Sequence, residues 1–369
     1  MDYSDGLLDA LRREADPLAD QVVTDILDRR EAGTINEVLR HFIHNRQPLP
    51  ADLPPEVGAY LERTRALPDF ADEALLERAS SLFQRHGVAV SLILVTDSLI
   101  ECYAARTGVK VLSFSYRLGH NAYRRVAETA QFMFDVLAPG GLEEGGDGRV
   151  AVQKVRLMHA AIRHLVRETG RWDEAAWGVP ICQEDMLGTV QSFSLIVIKD
   201  LPKLGIHLGR DETEAWFHFW RVIGDMLGCR RDLNPATIPD GQALLDAIRR
   251  RHHGPSEEGI AMTRALVEMH DIVIPGHLER GFAAAITRHL AGDQIADWLE
   301  VPRSHLDRLP AHESTIGFFL ELSNRFGRAL LERESFDLAG YQRAAFDIPT
   351  SLAEAWQLGG AAGGARADA

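Results

Sequence analysis

Strand-period alternation is almost missing from this chain, and helix-period patterning takes its place from end to end. Only Val109-Lys110-Val111-Leu112 tempts a strand reading. Elsewhere apolar residues recur at three- and four-residue spacing, as in helices that bury one face. The pattern predicts an all-α protein, a single large helical domain with N- and C-terminal helical extensions. Helices are expected at about residues 7–30, 35–45, 56–65, 72–85 and 88–106, then in the segments of Arg125 and His159. A long helix opened by Asp185 or Thr189 follows, then one over Trp216–Leu227 capped by Asp211 or Thr213. Further helices are expected at about 240–252, 256–270, 279–291, 293–299 and 311–333. Pro48-Leu49-Pro50-Ala51-Asp52-Leu53-Pro54-Pro55 is neither helix nor sheet. It divides the chain into a helical extension (1–47), a Pro-rich linker with a leading helix (48–75), a core (76–235), a C-terminal helical region (236–357) and a low-complexity tail (358–369) expected to be disordered.

Length and charge narrow the function classes. The 369 residues are 46% hydrophobic and 25% charged, ordinary for a globular protein with a sizeable core. A formal charge of −14 argues against nucleic-acid binding, which wants basic surface. Cys102, Cys182 and Cys229 are widely spaced and form no CxxC pair. That suits a reducing cytosol and leaves each cysteine as a small core residue. The start, Met1-Asp2-Tyr3-Ser4-Asp5-Gly6, is acidic where a secretory signal is basic, and no apolar stretch reaches about 18 residues. The expectation is a cytoplasmic protein without a transmembrane span. Val88–Val95, cut off at Asp97, reads as a buried core helix.

The familiar catalytic motifs are missing. There is no HExxH, no ExxH pair, no CxxCH, no GxGxxG or GxxxxGK[ST] cradle, and no GxSxG elbow. Glu37/His41 and Glu214/His218 have i,i+4 spacing, and surface ion pairing accounts for both. His252-His253, His270, His277, His289 and His305 lack tight ligand spacing and read as surface or capping residues.

Two helices carry the chemistry that remains. In Lys154–Val166 the apolar Val155, Met158, Ile162 and Val166 stand at −4, −1, +3 and +7 from His159 and share its face. Arg156, Arg163 and Arg167 fall on the other side. A histidine so placed is either a hydrogen-bonded core residue or a ligand to something buried, such as a metal or a haem iron. One helix earlier, Arg125 and Thr129 are i,i+4 neighbours on a face that continues into Phe132 and Val136. Arg125 is then either a salt-bridge partner or, with Thr129, a donor lining a pocket.

Four blocks in order resemble the latex clearing protein (rubber oxygenase) and MpaB oxygenase family. They are Ser98–Leu112, the Arg125/Thr129 helix, Val155-Arg156-Leu157-Met158-His159-Ala160, and Pro180–Ser194; Trp220–Gly228 is a weaker fifth. The likeness spans about residues 76 to 235. It implies an all-α, globin-like core and haem b, with His159 as the proximal iron ligand and Arg125 and Thr129 as the polar pair near the haem and distal pocket. It also implies O2 and a hydrophobic, unsaturated, isoprenoid-like substrate as partners, with oxidative C=C cleavage, while the lack of an export signal points to a small hydrophobic substrate in place of polymeric rubber; any electron donor stays open. The sequence departs from the family at two places. Glu128 stands where some members carry an iron-capping lysine, and Arg106–Lys110 has no carboxylate where they carry a catalytic glutamate. Glu101, Glu128 and Asp135 are the candidate acids in its place. The alternatives are a globin-like haem or O2 sensor without turnover, and a cofactor-free scaffold in which His159 is packed. A substrate pocket is expected from Leu92, Val95, Phe132, Met133 and Leu187, with few polar groups.

Overall fold

The computed structural model describes residues 3–29, 54–114, 118–273 and 281–305. The expected helices near 35–45 and 311–333, the Glu37/His41 pair and the tail lie outside them. Among the described residues the protein is all-α: no strand occurs, only an isolated bridge between Ala105 and His253.

The expected first helix is two, α1 (Asp5–Leu11) and α2 (Pro17–Arg29), and α3 follows at Pro55–Arg63. The predicted pair at 72–85 and 88–106 is one long element, α4, running from Glu73 to Ala104. Its backbone leaves helical geometry at His86, beside Gly87, and widens to a π turn over Leu94–Ser98. Asp72 caps its start by accepting from Ala74 and Leu75 N–H. By length and composition this helix is apolar enough to cross a membrane. Its apolar residues, Leu76, Leu82, Phe83, Val90 and Ile93 among them, are buried in the protein's own core.

Val109–Leu112 is helical, not strand, within α5 (Gly108–Phe114). A β-branched run this short carries no decisive period, and the Val109 N–H bonds back to Ala105 in a helical turn. The helices of Arg125 and His159 are α6 (Leu118–Leu137) and α7 (Asp147–Glu168), packed directly on each other. The segment between them is a tight series of turns. Gly141 N–H bonds Ala138 O, Gly146 N–H bonds Glu143 O, and Arg149 N–H bonds Gly141 O. A Cβ at Gly146 would stand 2.4 Å from the Gly140 carbonyl, so only glycine lets the chain pass there.

Helix α8 (Glu174–Trp177) leads to α9 (Gln183–Asp200), which opens at Cys182 instead of Asp185 or Thr189. α9 is buried nearly all round, the mark of a central core helix. α10 (Arg210–Met226) packs on both α4 and α9. Gly209, with Glu212 accepting from its N–H, begins it, in place of the expected Asp211 or Thr213. Phe193 and Trp220 meet with ring centroids 5.0 Å apart, and Trp216 Nε1 donates to the Phe193 carbonyl at 3.2 Å. Helices α11 (Ile238–His252), α12 (Glu257–Val273), α13 (Phe282–Ala291) and α14 (Asp293–Trp298) complete the described fold. α11 packs on α9, and α12 on α6. Glu214 pairs with Arg210, not with His218, whose Nε2 accepts from the Asp72 N–H instead.

Candidate active site

A cavity of about 450 Å3 lies among α4, α5, α6, α7, α9 and the end of α11. Helices α6 and α7 supply Val126, Thr129, Phe132, Val155, Met158, His159 and Ile162; α9 supplies Met186, Thr189, Val190 and Phe193. The far side carries Leu99, Glu101 and Cys102 from α4, Val109 and Leu112 from α5, and His252-His253 after Ile248 of α11.

His159 sits as the periodicity predicts, on the apolar face of α7 and on the cavity wall. Its surface is half-buried because part of the ring faces the cavity. Nδ1 is buried and has no hydrogen-bond partner. Burial, reinforced by the Arg163 charge and opposed by Asp16, pushes the imidazole down to about 4, so the ring is neutral at physiological pH. The ring is neutral and part of it faces the cavity, which suits it to coordination there. Thr129 lines the same cavity, half-buried, from α6. Arg125 lies four residues before it on that helix; its side chain is outside the description.

The arginines of α7 do not lie on a solvent face. Only Arg167 stays substantially exposed, at 42%. Arg163 is 1% exposed and Arg156 13%, each held by an aspartate of the N-terminal segment.

Two carboxylates on the cavity wall are locked in ion pairs. Glu101, 2% exposed, accepts from Arg249 Nε at 2.8 Å and from Arg249 Nη2, and lies 3.7 Å from Lys199 Nζ. Glu184, wholly buried, accepts from Arg251 Nε at 2.9 Å and Arg12 Nη1 at 3.3 Å, with His252 Nε2 at 3.0 Å. Burial pushes Glu184 up, but His252, Arg12 and Arg251 together hold it below its ordinary value. Asp185 accepts from the same Arg12 at 2.9 Å. Glu101, offered by sequence as an acid, is thus taken up by Arg249, and Asp135 is buried away from the cavity wall, taking the Gln131 amide at 2.7 Å. Glu128 does line the cavity.

His252 and His253 correct the surface reading. His253 is 7% exposed in its side chain, with Nδ1 4.0 Å from Glu101 Oε2. Burial, with Arg249 adding to it and Glu101 opposing, lowers it to about 4. Its backbone is held by the bridge to Ala105, and the Gly254 N–H bonds the Ala104 carbonyl. Lys154, 4% exposed on the same wall, was given no role by sequence; burial lowers its ammonium while Asp135 opposes. Of the five residues expected to line the pocket only Phe132 does. Met133 and Leu187 are spent in the core, and Leu92 packs against it.

The catalytic domain described as ER-bound oxygenase mpaB/B'/Rubber oxygenase matches residues 90–319. The chain belongs to this oxygenase family. The rubber oxygenase of Streptomyces sp. (strain K30) is 29% identical over 303 residues, 80% of this chain and 73% of that protein. A solved structure of latex clearing protein in the closed state aligns with a TM-score of 0.71 at 25% identity, over 86% of this chain and 84% of that one. The oxygenase domain contains Arg125, Thr129, His159 and the cavity walls; α1, α2 and α3 precede it.

Among the described residues no group of three or more His, Cys, Asp or Glu can hold a metal ion. The apolar lining and the one neutral histidine fit the macrocycle of a metalloporphyrin, which His159 would hold.

Proposed function

We propose that this oxygenase uses haem b, bound through His159, and acts with O2 on a small hydrophobic, isoprenoid-like alkene, with oxidative C=C cleavage as the reaction class. The observation that carries the proposal is the neutral imidazole of His159 on the wall of an apolar cavity. The rubber oxygenase relative supports an isoprenoid substrate. When bound, haem supplies the dioxygen chemistry that side chains lack. The protein does the rest. His159 offers a lone pair with no proton competing for it at neutral pH. Val126, Phe132, Met158 and Ile162 keep water out and hold the alkene by dispersion. Thr129, with Arg125 one turn earlier, would orient O2 or anchor the cofactor. The three free cysteines, Cys182 and Cys229 buried, support a cytoplasmic location.

A second reading is a haem protein that binds O2 without turnover, favoured by the ion pairing of Glu101, Glu184 and Asp185. The absorption spectrum of the purified protein, taken with product analysis, tests both. A Soret band that His159→Ala loses or strongly shifts, together with carbonyl products from an alkene, is the expected result. Reversible O2 binding with no product selects the second reading. An unchanged Soret band in the variant removes His159 from the site.

A further inference from the structure

The N-terminal segment grips the His159 helix at two points. Asp16, 4% exposed in its side chain, accepts from Arg156 Nε at 2.6 Å and Nη2 at 2.8 Å, while Arg156 Nη1 donates to the Met226 carbonyl at 3.3 Å. Asp20, four residues on, accepts from Arg163 Nε at 2.8 Å, and Arg163 Nη1 donates to the Ile181 carbonyl at 2.8 Å. Arg156 stands three residues before His159 and Arg163 four after it, so the two grips straddle the ligand on neighbouring ridges of α7. Between them α2 packs along α7, with Ala19, Val22 and Val23 against Leu157, Ala160 and Ala161. A fork-shaped guanidinium fixes angle as well as distance. Two such forks fix both the rotation of α7 about its axis and its position along it. Buried pairs of this kind add little net stability over apolar packing, so their contribution is geometric.

We infer that Asp16 and Asp20 are positioning residues for the cofactor site: they set the register of α7 that presents the His159 ring to the cavity. This rests on the haem reading above. It extends the site to a segment outside the matched oxygenase domain, which begins at residue 90.

The test uses full-length, haem-loaded protein. Haem release to excess apomyoglobin, the Soret position and the ferric/ferrous midpoint potential are measured for Asp16→Ala/Asp20→Ala, for Asp16→Glu, and for Arg230→Ala. The last variant breaks the 3.0 Å contact with Glu14, which fastens the same segment without touching α7. The expected result is at least tenfold faster haem release and a displaced Soret band in the double variant, with unchanged helical circular dichroism. Asp16→Glu should recover most of the wild-type behaviour, and Arg230→Ala should match wild type. If the double variant does not fold, Asp16→Asn and Asp20→Asn are judged by the same readouts. Wild-type release and spectrum in the folded variants overturn the inference, as does equal haem loss in Arg230→Ala. Wild-type protein without any Soret band instead removes the haem reading on which it rests.

Discussion

Lys199 Nζ stands 2.9 Å from Asp97 Oδ2, at the π turn of α4, and the same ammonium is 3.6 Å from Asp200 Oδ1. Both carboxylates are wholly buried, whereas Lys199 is 41% exposed. Burial pushes Asp97 up to about 7, the contact with Asp200 adds to it, and Lys199 opposes. An unfolded aspartate titrates near 3.8, so between about pH 4 and 7 the folded state holds a proton that the unfolded state has lost. Stability from this group is therefore present below pH 4 and lost as pH rises toward 7. His253, lowered to about 4, works in the opposite sense over about pH 4 to 6.5. The comparison that isolates Asp97 is wild type against Asp97→Asn. Relative to wild type, the variant should gain stability between pH 4.5 and 7.5 by at least about 1.4 kcal/mol, the worth of one pKa unit. Parallel stability curves from denaturant melts would show that Asp97 is ionised throughout.

Glu101 and Arg249 form the ion pair at the cavity wall. Removing Arg249 leaves a carboxylate that is 2% exposed with only the half-exposed Lys199 ammonium, 3.7 Å away, and a neutral imidazole nearby. Arg249→Ala should cost roughly 3 kcal/mol, as for other broken buried pairs. Glu101→Gln/Arg249→Met removes both charges and should cost clearly less than the single change. Urea midpoints at constant m-value measure both. A double variant as unstable as the sum of Glu101→Gln and Arg249→Met, each measured alone, would show that the pair is not coupled.

The fold was legible because helical periodicity is local, and so was His159, whose apolar neighbours stand within two turns of it. What sequence reading missed is long-range. Arg156 and Arg163 look like a solvated stripe until Asp16 and Asp20, 140 and 143 residues away, are brought against them. His252-His253 follow Arg249-Arg250-Arg251, a run that reads as an exposed helix end. The contact of Ala104 and Ala105 with that end, with the ion pairs to Glu101 and Glu184, turns it inward. Leu187 and Met133 were apolar in the right helices but faced the core. Periodicity identifies a buried face without saying whether it meets packed side chains or a cavity.

Thr129 offers a hydroxyl on the cavity wall that valine would replace at similar volume. Thr129→Val should keep the Soret intensity and the helical circular dichroism. It should lower O2-dependent turnover on the order of tenfold, the scale of one lost hydrogen bond to a charged or developing-charge group. Full turnover in the variant would confine Thr129 to packing.

The cavity also bears on substrate. Phe132 and Ile162 are apolar side chains on its wall. A short isoprenoid is the proposed substrate, and its fit beside the cofactor depends on these two side chains. Ile162→Trp, which fills space, should raise KM for short isoprenoid alkenes several-fold with the haem spectrum retained. Phe132→Ala, which opens space, should raise KM for the short substrate and improve use of a longer one. Wild-type protein given polyisoprene latex and, separately, short isoprenoids should release carbonyl products faster from the latter. Faster cleavage of latex, with both variants unchanged in KM, would mean that the chain threads a polymer past this cavity instead of enclosing a small molecule in it.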